Sequence, residues 1–295
     1  MPRNTDPAYL ERRAKREARR QKQREQNVYR AQKMHVARLE YEAQPKKKST
    51  RKADLPALHV GCSGWFYWHW RELFYPQGLS PSGWFNHYAK TFDTVELNAP
   101  FYSWPTVGTV NTWLRQAGRK RFIYTVKASE LITHTKRFRG TKELVKDFGL
   151  IADLLGPRMG CFLFQLPPSF NYTPTRLRMI LGQLDPRHRN VVEFRHKSWW
   201  NDAVYTAFRK SKAIFCSCSG PRLPDDLVKT ANDVYIRFHG ASKWYRHDYT
   251  KEELAVWVSR IKQSKAKRVW AYFNNDREAF AIKNAKEFML QMMKH

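Results

Sequence analysis

The chain runs to 295 residues, 42% hydrophobic and 15% aromatic, with 54 Lys/Arg against 26 Asp/Glu for a formal charge of +28. That is enough for one barrel-sized domain with an appendage, and basic enough to make polyanions, nucleic acid first, the expected partner class. No run approaches the roughly 20 apolar residues of a membrane span, no apolar core precedes a small-residue cleavage site, and Cys62, Cys161, Cys216 and Cys218 all lie within apolar runs. The chain is therefore read as cytoplasmic, with no membrane partner and no disulfide framework.

The first 58 residues are basic out of proportion, with 17 Lys/Arg against 7 Asp/Glu. From Pro7 to Ala43 helix formers dominate, but Leu10, Val28, Met34, Val36 and Leu39 make no sustained stripe, so a charged, solvated or conditional helix is expected. Residues 45–52, PKKKSTRK, read as a flexible basic linker. This extension is expected to be removable without opening the core that follows, and reads equally as a nucleic-acid arm or as a solubilising extension.

From His59 onward eight short apolar runs alternate with amphipathic stretches, the signature of βα units. They are LHVGCS (58–63), DTVELN (93–98), RFIYTVK (121–127), MGCFLFQL (159–166), NVVEFR (190–195), KAIFCSC (212–218), DVYIRFH (233–239) and RVWAYFN (268–274). Between them, one helix is expected to start at a Thr141 cap and stop at Gly156, and another to start from Thr250. The proline-broken connection SGPRLPDDLVKTAN is too short for a helix between the sixth and seventh runs. The expected fold class is α/β, a (β/α)8 TIM barrel over residues 59–295 with a basic, charged-helical N-terminal extension over 1–58.

Side chains alternate across a strand, so one parity of each run faces the lumen. On that parity the runs end in polar groups: Glu96 and Asn98, Lys127, Gln165, Glu193 and Arg195, Arg237 and His239, and Asn274. Polar groups inside a barrel are costly unless paired or facing the mouth, and the C-terminal mouth is where barrel enzymes keep their chemistry. A pairing such as Glu193 with Arg237 accounts for single members of this set, but less readily for all of them. Three permanent cations, Lys127, Arg195 and Arg237, outnumber the two carboxylates, so an anionic ligand, phosphate above all, is expected. The aromatics of residues 61–76, and Trp199 and Trp200 after the fifth run, can stack on bases or sugars at the mouth; a packed hydrophobic lid accounts better for most of them, with Trp65, beside Gly64, the exception. Cys216 and Cys218 lack a second pair of zinc ligands. A divalent cation held by Glu96, Glu193, His239 and Asn274 is opposed by the neighbouring cations, so no cofactor is expected.

The motifs GCSGW, FYP, FDTVELNAPFY, TVKASELITH, LFQLPPSF, VVEFRHKSWW, VYIRFHG and YFNND, in this order, resemble the YecE-like family, domain of unknown function 72, from about Val60 to Asn284. The resemblance implies a TIM barrel and a site built from Ser63, Gly64, Trp65, Glu96, Asn98, Tyr102, Lys127, His134, Gln165, Glu193, Arg195, Trp199, Arg237, His239 and Asn274. Members are similar in fold to zinc-dependent apurinic-site endonucleases, which implies DNA repair by analogy of fold alone. Such enzymes carry three metals, and two glutamates and two histidines among several cations are a poor match for that set.

Three functions follow. The first is binding, and hydrolysis, of a phosphorylated ligand such as nucleic acid, with Glu96 or Glu193 as base, Lys127, Arg195 and Arg237 holding the anion and His239 as acid. The second is a metal-free enzyme for a small sugar phosphate or keto acid, working through Lys127. The third is a non-enzymatic nucleic-acid-binding module.

Overall fold

Eight strands form where the apolar runs fall, in a computed structural model that describes residues 7–45, 55 and 57–294. They are β1 Leu58–Cys62, β2 Thr94–Leu97, β3 Ile123–Lys127, β4 Met159–Gln165, β5 Asn190–Glu193, β6 Ile214–Ser219, β7 Asp233–Phe238 and β8 Arg268–Phe273. The α-helices are α1 Pro7–Ala43, α2 Trp84–Tyr88, α3 Ala99–Tyr102, α4 Val107–Ala117, α5 Lys142–Leu155, α6 Pro174–Leu181, α7 Asp202–Ser211, α8 Lys251–Ser264 and α9 Phe280–Met293. Ser63, Asn98, His239 and Asn274 each follow directly on a strand, which leaves their side chains at the mouth rather than within the ladder. Residues 220–232 form no helix, as the prolines dictate.

All seven hydrogen-bonded pairs are parallel, in the order β1-β8-β7-β6-β5-β4-β3-β2. The two ends of this sheet, β1 and β2, meet across a seam bridged by side chains, with Tyr88 between the strands themselves. The Tyr88 hydroxyl accepts from the Cys62 amide at 2.8 Å and donates to the Thr94 carbonyl at 3.0 Å. A Cβ on Gly61 would stand 2.5 Å from that same carbonyl, so only glycine lets the strands approach this closely.

Inside the barrel the polar groups are arranged in layers. At the base His59 stacks on Trp270, ring centres 4.0 Å apart, and the Trp270 Nε1 donates to Asp233 at 3.1 Å. In the middle the Tyr272 hydroxyl meets the Thr94 and Thr125 hydroxyls at 2.8 and 2.9 Å, among buried Cys161, Leu163, Val191 and Cys216. The upper layer is charged and forms the floor of the mouth. Outside, the helices bury a second, larger aromatic core, into which Cys62 packs. Helix α8 begins with the reciprocal Thr250 and Glu253 cap. Thr141 makes no such cap for α5: its amide and hydroxyl both donate to the Gln183 side chain, at 2.6 and 2.8 Å.

The extension departs from expectation. It is helical from Pro7 to Ala43, but its second half is docked, not solvated. Ala31 and Met34 are buried in the outer core, and Asn27, 1% exposed, donates to the Tyr102 carbonyl at 2.9 Å and accepts from the Trp104 amide at 2.8 Å. Arg38 donates to buried Asp147 of α5 at 2.8 Å and reaches Glu42 and Glu143. Removing α1 would strip these groups of their partners, so the expectation of a freely removable tail is corrected. The expected flexible linker lies, beyond Pro45, outside the described residues. Among the described residues, no helix is long and apolar enough to cross a membrane.

Candidate functional site

A cavity of about 1020 Å³ opens over the C-terminal ends of the strands. Of the residues expected there, Ser63, Gly64, Trp65, Asn98, Tyr102, Lys127, His134, Gln165, Arg195, Arg237 and Asn274 line it. Glu96, Glu193 and His239 lie behind these residues, fully buried. Trp199 does not reach the cavity: it is buried, stacked on Phe194 at 3.9 Å, with its Nε1 bonded to the Phe170 carbonyl. The chain turns after β5, so its position there carries it into the outer core.

The floor is a lattice of paired charge. Arg237, 1% exposed, donates to Glu96 Oε1 at 2.5 Å and to Glu193 Oε2 at 2.6 Å. Glu96 also accepts from Ser63 at 2.7 Å and from the Tyr235 hydroxyl. Glu193 is further bonded to Arg195 and lies 3.2 Å from His239 Nε2. Burial by itself would raise the Glu193 pKa, but Arg195 and Arg237 hold it well below the usual carboxylate range. Burial and the Arg195 charge push His239 well below its ordinary value too, so its ring is neutral. Asn274 Nδ2 stands 3.1 Å from His239 Nδ1, and Arg195 stacks its guanidinium over Trp244 at 4.7 Å. Both carboxylates are thus occupied by donors, which makes either a poor base.

The wall beside this lattice is different. Lys127 ends β3 with its ammonium 4.0 Å above the Phe101 ring and has no hydrogen-bond or ion-pair partner among the described residues. Burial, aided by Arg237, lowers its pKa from 10.5 to about 7. His134, in a π-helical turn that follows β3, packs edge-on against the same Phe101 ring at 4.8 Å. Burial and Lys127 lower its pKa to about 4, so it too is neutral. Two buried polar atoms, Asn98 Oδ1 and Arg237 Nε, also lack hydrogen-bond partners among the described residues.

Metal ligation fits poorly. Glu193, Cys218 and His239 place one donor atom each within 4.8 Å of one another. Yet Glu193 already carries two guanidinium groups, and Arg195 Nη2 lies 3.0 Å from His239 Nε2. A divalent cation would have to displace those charges.

Sequence reasoning missed several participants. Tyr235 shares the inward parity of Arg237 and was legible from it. Phe101 gave no signal beyond being aromatic. Arg20, Gln23 and Arg24 of α1 also line the cavity, although they lie far outside the barrel in sequence.

Comparison with known proteins gives the fold a context and leaves the reaction open. The UPF0759 protein YunF of Bacillus subtilis is 25% identical over 275 residues, covering 80% of this chain and 94% of that protein. The UPF0759 protein YecE of Escherichia coli K12 is 26% identical over 234 residues, covering 70% and 81% respectively. A DUF72 family protein of Thermotoga maritima, known from its crystal structure, is 26% identical with a TM-score of 0.71, over 81% of this chain and all of that one. The family model for "Protein of unknown function DUF72" matches residues 59–295, the whole barrel described above, and the chain belongs to that family.

Proposed function

We propose that the cavity binds a small anionic carbonyl compound, of the keto acid or sugar phosphate class, and that Lys127 is the group that reacts with it. The observation that carries this reading is the state of Lys127: buried, unpaired and lowered to about 7 beside Arg237. A desolvated lysine next to another cation is a nucleophilic amine at neutral pH. Its nitrogen would add to the carbonyl carbon, pass its proton to the resulting alkoxide, and form an imine as water leaves. Neutral His134, packed against the same Phe101 ring, is suited to relay that proton. The anionic end of the ligand would be met by Arg195 and Arg237, which line the cavity while the two glutamates that balance them lie buried behind.

The hydrolytic reading, with Glu96 or Glu193 as base and His239 as acid, is less well supported. Both carboxylates are sealed under Arg237 and His239 holds no surplus proton. The test is borohydride trapping with pyruvate at pH 7.5, followed by peptide mass spectrometry. Lys127 should be labelled on the order of tenfold faster than surface lysines, which remain almost wholly protonated at that pH. Labelling of Lys127 no faster than theirs would overturn the reading.

A further inference from the structure

Helix α1 brings its own cations to the cavity. Arg20, Gln23 and Arg24 line the mouth, and the next turns of the same helix face are fixed to the barrel. Gln23 donates to the Tyr102 carbonyl at 2.7 Å, Asn27 bonds the same carbonyl and the Trp104 amide, and Arg38 pairs with buried Asp147. Arg24 sits 4.0 Å from Glu130, a cavity residue three positions beyond Lys127, which orients it and offsets part of its charge. Arg20 has no ion-pair or hydrogen-bond partner among the described residues. The rim therefore keeps an unbalanced positive charge, separate from the cations on the floor.

We propose that Arg20 and Arg24 form a second anion subsite, so that the preferred ligand carries an anionic group at each end: one beside its carbonyl, at Arg195 and Arg237, and one distal, at the α1 arginines. This rests on the Lys127 reading for the orientation of the ligand, but not for the existence of the subsite. The cavity, about 1020 Å³, has room for an extended molecule well beyond three carbons. The family match begins at residue 59, so this subsite is supplied by the extension and not by the family barrel. The extension thereby acts as a specificity element.

Two six-carbon keto acids separate the possibilities, since α-ketoadipate and α-ketocaproate differ only in the distal carboxylate. Binding is read by calorimetry and imine formation by borohydride trapping, on the full chain, the R20A/R24A variant, and an R16A/K22A control that removes the same charge from α1 outside this cavity. The wild type and the control should bind α-ketoadipate about tenfold tighter than α-ketocaproate, as expected of one distal charge-assisted contact. R20A/R24A should lose that preference, with unchanged α-ketocaproate binding and an unchanged melting curve. Reversal in R20E/R24E should favour α-ketocaproate. Equal preference in wild type and R20A/R24A, or equal loss in the control, overturns the subsite. Preference without trapping overturns the Lys127 chemistry and leaves the subsite standing; trapping without preference does the reverse. No binding of either acid overturns both.

Discussion

In the Glu96–Arg237–Glu193–Arg195 lattice each charge faces an opposite one, whereas along the Lys127–Phe101–His134 wall the lone ammonium faces a ring and a neutral imidazole. The two regions share one barrel mouth and similar burial. The difference teaches that inward polar residues are not one class. Pairing makes the lattice a scaffold that holds its protonation state, while the unpaired wall stores the cost of desolvation as reactivity.

The largest expected effect breaks the lattice. Arg237→Ala leaves buried Glu96 with no ion-pair partner and Glu193 with Arg195 alone, and should cost about 5 kcal/mol of stability in urea unfolding. A loss under about 1 kcal/mol would mean that the carboxylates are not held as charges, and the contrast would collapse.

Lys127→Met should have the opposite sign, stabilising by about 3 kcal/mol at pH 6. The unfolded amine keeps its proton up to pH 10.5 while the folded one releases it near 7. The unfolded state therefore binds more protons across that window, and wild-type stability rises with pH through it. The difference in stability between the variant and wild type should shrink accordingly from pH 7 toward 10.5. A pH-independent difference would show that Lys127 is not desolvated as its surroundings require.

Tyr88→Phe provides a smaller reference, about 2 kcal/mol, because it leaves the Cys62 amide and the Thr94 carbonyl unpaired without touching any charge. A cost as large as that of Arg237→Ala would assign the lattice effect to barrel closure in general. The smallest signal is spectroscopic: His134 should titrate near pH 4 by NMR in the wild type and move upward in Lys127→Met, where the charge that lowers it most is gone. An unmoved titration would uncouple the two halves of the wall.

The barrel was legible because strand alternation is a strict rule: Val95 and Leu97 against Glu96 and Asn98, or Ile236 and Phe238 against Arg237 and His239, fix which side chains meet. What parity cannot supply is who pairs with whom. Glu96 and Glu193 were placed at the mouth, but their shared claim on Arg237 depends on β2, β5 and β7, which are not neighbours in the sheet and meet only across the lumen. Trp199 failed for a related reason, since it follows its strand through a turn, where alternation no longer applies. The docking of α1 was hidden for a chemical reason. Arg20, Arg24, Asn27, Ala31, Met34 and Arg38 recur three and four residues apart on one face, but only two of them are apolar, so a search for a hydrophobic stripe passes over them.

The seam between β1 and β2 gives the barrel an anisotropic compliance. Seven strand pairs resist separation through ladders of backbone bonds, and the eighth through side chains: the Tyr88 phenol, the Ser63–Glu96 bond and Asn98, whose Nδ2 donates to the Ser63 carbonyl at 3.0 Å. Thermal opening should therefore be concentrated along that one line, with the Cys62 amide exchanging its hydrogen for deuterium ahead of its neighbours in the sheet. Ser63 and Glu96 stand on opposite banks, joined at 2.7 Å. Each such opening would part them and widen the floor on the Glu96 side while the remaining strands keep their register, so the soft line of the scaffold runs through the site itself.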